Sequence, residues 1–427
     1  MHSKHFIVGL FGIVGLFGFL PTTSAATFNL TYHYKHFLYT INVSQQKHWT
    51  APHEVWTYHG RAIVPPAGFR IDGDAVPPLP AGFEKRFENT IDRNEIEKTI
   101  HDVISSELHH DAGTVTIGKN GSGTVVFSGV GFAGERIDME SAVDLSIAAL
   151  ENKVSDIMLP ITVTPPTVIV TDESLKKLGI TELVTVGESD FSNSPKNRRH
   201  NIAVGLSKFN GHIIPAGSIF SFDETLGPVD GKAGYLKELV IKGEQTIPDY
   251  GGGLCQVSST AYRGVWEYGF PITQRKNHSY TVNHYYPQGT DATVYPPNID
   301  MKFKNDSPAA LLMQTYAEGD KAYFLYYGTK DSRRSEVMGP FLWGKTPPPP
   351  DKTQLTLDLP PGERKKVGER VPGIRAAWFR IVKKDGKEDI HGTYSIYAAR
   401  PLFYLVGTAE LPKTATGSGV PSVFLEE

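Results

Sequence analysis

Residues 251–269 have the sequence GGGLCQVSSTAYRGVWEYG, which predicts a tight glycine loop followed by a helix. Apolar residues at helical spacing form one stripe: Val257, Ala261, Val265 and Tyr268. Gly269 is suited to end this helix, because glycine readily adopts the left-handed conformation found after a last helical turn. Cys255 would then lie in the first turn, and it is the single cysteine of a 427-residue chain.

The N-terminus predicts a signal peptide over residues 1–26. Lys4 and His5 precede an apolar run from Phe6 to Leu20, and small residues at 23–26 provide a cleavage site. A membrane span needs about 20 apolar residues, more than this run supplies. We therefore expect an exported, extracytoplasmic protein of the cell envelope without a later membrane span. An uncleaved N-terminal anchor is the alternative.

A single thiol in an exported protein is unusual, because exported proteins carry cysteines mainly as disulfide pairs. Cys255 is therefore a buried bystander, half of an intermolecular bridge or a reactive group. The unpaired N–H groups and the dipole of a helix start stabilise a thiolate. Together with the loop of Gly251, Gly252 and Gly253, and with Gln256 beside it, the same N–H groups could hold an oxyanion. These features favour a reactive thiol.

A thiol nucleophile needs a base, and two histidines downstream are candidates. His278 lies in the sequence RKNHS and His284 in VNHYY. Residues six apart in a strand face the same side, so either imidazole could reach Cys255. The base also needs an orienting acceptor, for which Asp291 and Asp300 are both suitable. An ordinary hydrogen-bonded role for either histidine is the alternative.

Composition argues against several other function classes. The net charge is −3, so no basic field attracts nucleic acid. Cys255, His278 and His284 are metal-ligand types, but the sequence has no compact zinc motif, and we expect no metal and no cofactor. The sequence also lacks the Gly-x-Ser-x-Gly motif of serine hydrolases and a phosphate-cradling loop.

The chain is predicted to be an α+β multidomain protein, since 42 glycines and 30 prolines indicate many turns and short strands. We expect an α+β region at 27–187, a β-rich domain with a few helices at 188–330, and a small all-β module at 353–410. A proline-rich linker is expected at 331–352 and a disordered tail at 411–427. In the first region, Asp92 and Asp138 should cap helices, and Asn120-Gly121 should form a two-residue hairpin turn.

Separated motifs in a fixed order give the chain a resemblance to the VanW family. They are DFS (190–192), RHNI (199–202), GSIFSF (217–222), LGP (226–228), GGGLCQVSST (251–260), NHS (277–279) and GTDATV (289–294). One departure is Phe222-Asp223-Glu224, where such proteins more often carry asparagine after the aromatic residue. Residues 114–187 are similar to the peptidoglycan-binding type of module that often precedes this domain. The C-terminal β module resembles an extracellular adhesion module that often follows it.

The resemblance implies cell-wall chemistry, with peptidoglycan as the partner. VanW-type domains look like cysteine L,D-transpeptidases that are unrelated in sequence to the YkuD class. Carried onto this chain, Cys255 is the nucleophile and His278 the base.

On this interpretation, Asp291 orients His278, and Arg275 or Lys276 receives a carboxylate of the stem peptide. The remaining substrate-binding candidates are His284, Ser258 and Thr260. A non-catalytic wall-binding or adhesion protein is the second hypothesis, and a metal-dependent hydrolase is the third. The oligomeric state is left open.

Overall fold

The computed structural model describes residues 28–63, 81–242, 245–410 and 424–425. The expected signal peptide, residues 1–26, lies outside the described residues. The described residues form two compact units. Of the described residues, the first unit comprises 28–32, 39–63, 81–106 and 139–157, and the second comprises 33–38, 107–138, 158–242, 245–410 and 424–425.

Strands and helices alternate in the first part of the chain. The strands are Leu30–Tyr34 (β1), Phe37–Ile41 (β2), Thr50–Tyr58 (β3), Arg61–Ile63 (β4), Phe83–Ile91 (β5), Thr114–Lys119 (β6), Val125–Gly129 (β7), Gly134–Ile137 (β8), Asp156–Met158 (β9), Ile161–Thr164 (β10) and Thr167–Val170 (β11). The helices are Arg93–Ile100 (α1), Ser106–Leu108 (α2), Met139–Asn152 (α3) and Glu173–Lys177 (α4), with a π-helical turn at His101–Ser105.

Local signals in this part of the sequence gave correct elements, but one turn was wrong. The Asp92 side chain accepts hydrogen bonds from the N–H groups of Asn94 and Glu95, which confirms the predicted cap of α1. Strands β6 and β7 pair as a hairpin, but five residues join them, not the predicted two-residue turn. The Asn120 side chain accepts from the N–H groups of Ser122 and Thr124 and so closes a longer loop.

Short strands and helices also alternate in the region that carries the motifs. The strands are Glu182–Asp190 (β12), Ile213–Ile214 (β13), Ile219–Ser221 (β14), Lys237–Lys242 (β15), Gln245–Tyr250 (β16), Ile272–Gln274 (β17), Lys302–Lys304 (β18), Leu311–Glu318 (β19) and Lys321–Gly328 (β20). The helices are Lys196–Ser207 (α5), Phe222–Leu226 (α6) and Leu254–Tyr268 (α7), with a 3₁₀ turn at Asn283–Tyr285.

Helix α7 is enclosed by sheets and helices, and this burial organises the region. The sheet with strand order β12-β20-β19-β13 packs along it. Strand β12 comes so near that a Cβ placed on Gly187 would lie 2.0 Å from the carbonyl oxygen of Thr260. A Cβ on Gly264 would lie 2.5 Å from the backbone nitrogen of Gly187. Glycine at both positions therefore permits this backbone-to-backbone contact.

From Arg334 onward, the regular elements of the described residues are all strands. They are Arg334–Thr346 (β21), Lys352–Thr356 (β22), Arg364–Val367 (β23), Gly373–Lys384 (β24), Lys387–Tyr397 (β25), Phe403–Gly407 (β26) and Phe424–Leu425 (β27). The sequence analysis placed residues 331–352 in a linker, but most of that segment is strand β21. A disordered tail was expected at 411–427, but Phe424–Leu425 within it form strand β27, which pairs with β22. Residues 411–423 of that tail lie outside the described residues.

The sheet formed by β21, β24 and β25 covers the C-terminal end of α7. Trp378 packs edge-on against Trp266, with ring centroids 5.7 Å apart. The Arg380 guanidinium donates to the carbonyl oxygens of Trp266 and Phe270 at 2.8 and 2.9 Å and so ties strand β24 to the end of α7. The last part of the chain thus shares one core with α7. No helix of the described chain combines the length and apolar character that crossing a bilayer requires.

Candidate active site

The predicted glycine loop and helix are both present, and they place Cys255 in the first turn of α7. Gly251 and Gly253 have φ angles of +80° and +118°, which side chains rarely tolerate. A Cβ on Gly252 would lie 2.8 Å from the carbonyl oxygen of Leu239. The three glycines are thus required by conformation or by space. Gly269 ends the helix in a left-handed conformation, as predicted.

Some backbone N–H groups around the thiol make backbone hydrogen bonds, and one of them does not. The N–H groups of Leu254 and Gln256 donate to the carbonyl oxygens of Gly251 and Gly253, each at 3.0 Å. The N–H of Cys255, between them, has no backbone acceptor among the described residues. It is therefore a donor of the first turn that remains available to an oxyanion.

The Cys255 thiol is partly exposed and has polar neighbours. Its Sγ lies 3.4 Å from Oγ1 of Thr293 and 3.6 Å from the carbonyl oxygen of Val294. Burial by itself would raise the pKa of Cys255, but His278, followed by Thr293 and Val294, outweighs burial and holds that pKa below its ordinary value. The thiolate is therefore favoured at this position.

His278 and Asp291 form a buried pair beside the thiol. Nδ1 of His278 lies 2.6 Å from Oδ2 of Asp291, and the backbone N–H of His278 donates to the same oxygen at 2.7 Å. Burial would lower the pKa of His278, but Asp291 and Cys255 raise it to about 9. Asp291 has a pKa well below its usual range, because His278, Arg275 and Tyr397 outweigh its burial.

The remaining ring nitrogen of His278 is oriented for proton exchange with the thiol. With Nδ1–H donating to Asp291, Nε2 is the atom that would carry or accept a proton exchanged with the thiol. Nε2 is enclosed and makes no hydrogen bond of ordinary geometry among the described atoms. The imidazole is nevertheless close enough to Cys255 to shift the pKa of both groups. Such contacts are often long in ligand-free sites and shorten when substrate binds.

Two tyrosines that the sequence analysis missed hold this pair. The Tyr285 ring stacks on the His278 imidazole, with centroids 4.3 Å apart and planes 14° apart. The Tyr397 hydroxyl, from strand β25, donates to Oδ1 of Asp291 at 2.5 Å and accepts from the N–H of Gly289 at 2.7 Å. Nothing in the sequence around Tyr397 indicated its role, because it lies more than 100 residues from Asp291 and reaches it only through the fold. Tyr285 follows His284 directly and could have been considered with it.

The predicted alternatives for base and orienting acid occupy other positions. The strand geometry expected for His278 and His284 was wrong, because His278 lies in irregular chain and His284 in a 3₁₀ turn. His284 is half-buried, and its pKa is lowered by burial and by Arg198. Asp300 is committed elsewhere, accepting from the Ser221 hydroxyl at 2.6 Å.

Asp223 marks the departure from the family motif, and it has an unusual environment. Both carboxylate oxygens are enclosed and have no hydrogen-bond partner among the described atoms. Burial and the negative charge of Asp300 raise the pKa of Asp223 to about 7. Asp223 therefore carries a proton more readily than an ordinary aspartate near neutral pH.

Several predicted substrate-binding residues are instead internal. The Gln256 side chain accepts from Arg198 at 2.9 Å and donates to the carbonyl oxygen of Asp190 at 3.1 Å. The Ser258 hydroxyl donates to the carbonyl oxygen of Ala292. Thr260 is likewise fully buried. These polar side chains point inward because elements pack on every side of α7, including the side opposite its apolar stripe.

The two cationic candidates, Arg275 and Lys276, differ in burial. The Arg275 side chain is buried, and its guanidinium donates to Asp291, to the Ser395 hydroxyl and to the carbonyl oxygen of Gly289. It therefore supports Asp291 and is not available to a ligand carboxylate. Lys276 is exposed. Within the described chain, no group of three or more His, Cys, Asp or Glu side chains is placed to hold a metal ion.

The arrangement has the parts of a cysteine acyl-transfer site. A thiol with a lowered pKa, an imidazole with a raised pKa and a buried carboxylate occur in the order that such sites use. A free backbone N–H lies at the nucleophile. These groups can hold a thiolate–imidazolium pair and stabilise negative charge on an attacked carbonyl oxygen.

The region that carries the site is similar to a known protein family. Residues 197–327 match the family model described as VanW like protein. An uncharacterized protein of Bacillus subtilis, YoaR, is 33% identical over 140 residues, which cover 33% of this chain and 46% of YoaR. The vancomycin B-type resistance protein VanW of Enterococcus faecalis is 28% identical over 119 residues, covering 26% of this chain and 42% of that protein.

These matches are partial. The chain spans less than half the length of either relative. No solved structure matches the chain. The matched region contains Cys255, His278 and Asp291 but not Tyr397.

Proposed function

We propose that this chain is an exported cysteine L,D-transpeptidase that acts on the stem peptides of peptidoglycan. The observation that carries the proposal is the position of Cys255 beside the His278–Asp291 pair, with the pKa of Cys255 lowered and that of His278 raised. The similarity to a vancomycin resistance protein supports a cell-wall setting. Export rests on the predicted signal peptide at residues 1–26.

In the first half-reaction the Cys255 thiolate attacks the carbonyl carbon of the third residue of a donor stem. A C–S bond forms, and the N–H of Cys255 donates to the oxyanion. Collapse breaks the C–N bond to D-alanine, whose nitrogen takes the proton from Nε2 of His278. The products are free D-alanine and a thioester on Cys255.

In the second half-reaction an amine from a neighbouring stem attacks the thioester carbonyl. The amine gives a proton to Nε2 of His278, and the C–S bond breaks to regenerate the thiolate. The product is a cross-link between third residues. With water in place of the amine, the same steps would make a carboxypeptidase.

The test is incubation of purified protein with disaccharide-tetrapeptide, with products separated by liquid chromatography. We expect cross-linked dimers and free D-alanine from the wild type and neither from Cys255→Ala. Dimers formed by a folded Cys255→Ala variant would exclude the mechanism.

A second candidate, a non-catalytic wall-binding or adhesion protein, is favoured by one surface. The outer face of the sheet β21-β24-β25 exposes large apolar side chains: Phe341 (49%), Ile390 (63%), Tyr394 (63%) and Ile396 (66%). Contiguous apolar surface of this kind often marks a binding site. Intact-mass spectrometry after carbapenem treatment separates the candidates, because a reactive Cys255 should be acylated and a binding module should gain no mass.

A further inference from the structure

Arg198 is a buried cation that lies against the start of the nucleophile helix. It belongs to α5 and is only 8% exposed. A Cβ on Gly253 would lie 3.1 Å from the carbonyl oxygen of Arg198 and 3.2 Å from its Cγ. Its guanidinium donates to Oε1 of Gln256 at 2.9 Å. Arg198 therefore contacts residues on both sides of Leu254 and Cys255.

The charge of Arg198 is not neutralised by a carboxylate. It also donates to the Ser194 hydroxyl at 2.5 Å and lies within hydrogen-bonding reach of the Tyr285 hydroxyl, and none of the described carboxylates forms an ion pair with it. Arg263, which is also buried, donates to five oxygen acceptors. A guanidinium has five N–H groups, so Arg198 retains donors for a ligand. A buried charge without a counter-ion is costly unless a ligand supplies one.

Nε of Arg198 is not an enclosed atom without a partner. The enclosed polar atoms that lack a partner include Nε of Arg333 and Nε of Arg380, but no atom of Arg198. Tyr285 connects Arg198 to the catalytic pair. Its ring stacks on His278, and its pKa is raised by burial, lowered by the charge of Arg198 and raised by Cys255. Arg198, Tyr285, His278 and Cys255 therefore border one region.

The chemistry of the donor requires a cation in this region. In the proposed reaction the leaving residue is D-alanine, which carries a free carboxylate. That carboxylate is one residue beyond the attacked carbonyl carbon, or about 4 Å from it, since successive Cα atoms are about 3.8 Å apart. Arg275, expected to fill this role, is already paired with Asp291. Arginine suits the task, because its planar fork binds a carboxylate through two N–H groups.

We infer that Arg198 binds the terminal carboxylate of the donor peptide and so restricts the site to donors that end one residue after the attacked carbonyl. This inference rests on the proposed function for the identity of the donor. It explains why a buried arginine without a carboxylate partner lies beside the nucleophile.

The test compares a tetrapeptide donor with its C-terminal carboxamide. With the wild type, the carboxamide should lower kcat/KM by about 10- to 100-fold, the range expected for loss of a charge-assisted hydrogen bond. Arg198→Gln should impose the same loss on the carboxylate donor and little further loss on the carboxamide. Arg198→Lys should recover part of the activity. Lys208→Gln removes an exposed charge just after α5 and should match the wild type.

Equal loss on both donors in Arg198→Gln would mean a structural role and would overturn the inference. A carboxylate-specific loss in Lys276→Gln but not in Arg198→Gln would also overturn it. Binding of the two peptides to Cys255→Ala, measured by calorimetry, gives an answer that does not need turnover. If the wild type turns over neither donor, the proposed function fails, but tighter binding of the carboxylate that is lost on adding Arg198→Gln still supports the inference. Equal binding of both peptides would overturn it.

Discussion

The Tyr397 hydroxyl donates a 2.5 Å hydrogen bond to Oδ1 of Asp291, although the two residues are 106 positions apart in sequence. Tyr397 lies on strand β25, outside residues 197–327 that match the VanW model. The acid that orients His278 is thus held by a strand from the C-terminal part of the chain. A fragment that stops at residue 330 would lack this support.

Replacing Tyr397 with phenylalanine tests this relationship. The change leaves Oδ1 of Asp291 and the N–H of Gly289 each short of one buried partner, which costs about 1–3 kcal/mol. We expect a lower free energy of unfolding in urea and reduced turnover. Tyr394→Phe, an exposed position on the same strand, is the matched control and should leave both unchanged. A Tyr397→Phe protein as stable and active as the wild type would show that the contact is dispensable.

The pKa of Cys255 is open to direct measurement through its alkylation by iodoacetamide as a function of pH. In the wild type the midpoint should lie below the ordinary thiol value of about 8.5. In His278→Gln the strongest interactions that lower this pKa are lost, while those of Thr293 and Val294 remain together with burial, which raises it, so the midpoint should move upward. Identical midpoints in the two proteins would mean that His278 does not act on the thiol.

The depressed pKa of Asp291 leads to a prediction of how the free energy of unfolding depends on pH. Its folded-state pKa is depressed, so its contribution is present above the unfolded value of about 3.9 and is lost as pH falls further towards the folded value. The free energy of unfolding of the wild type should therefore decline below pH 4 more steeply than that of Asp291→Asn. Parallel curves for the two proteins would contradict the assignment. Thermal or urea unfolding between pH 2 and 7 provides the measurement.

Gly253 should not tolerate a side chain. Its φ angle is +118°, and a Cβ would lie 3.1 Å from the carbonyl oxygen of Arg198. We expect Gly253→Ala to destabilise the fold by about 1–3 kcal/mol, as for other strained conformations. Gly121→Ala is the control, because a Cβ there meets nothing within 4 Å and its φ is not positive. Equal stability of both variants would contradict the account of the loop.

Local features of the site were predictable, and features that depend on packing were not. The start of α7, its glycine cap and the position of Cys255 follow from adjacent residues, so the sequence predicted them. Gln256 was expected in the oxyanion loop and Thr260 at the substrate, but both side chains lie on a covered face of α7. Strand β12 and its neighbours in fact cover that face. Arg275 was misjudged because its partner Asp291 is reached only through the fold.

The irregular chain around the base was also beyond sequence reasoning. Residues 275–294 pair little as strands; their backbone is held by side chains such as Arg263, which donates to the carbonyl oxygens of Tyr285, Tyr286 and Thr290. The six-residue spacing of His278 and His284, interpreted as strand geometry, therefore did not give their arrangement. The Asp291 prediction needed a motif and a resemblance, and its geometry became apparent only in the fold.

The claim that Cys255 is an acyl-transfer nucleophile is tested most directly by intact-mass spectrometry after rapid quenching of wild type and Cys255→Ala with a disaccharide-tetrapeptide donor and no acceptor. The account predicts that the wild type gains the mass of the donor less D-alanine, that the added mass maps to Cys255, and that Cys255→Ala gains nothing. Release of D-alanine by Cys255→Ala at the wild-type rate, or a folded wild type that never forms the adduct or releases D-alanine, would contradict it.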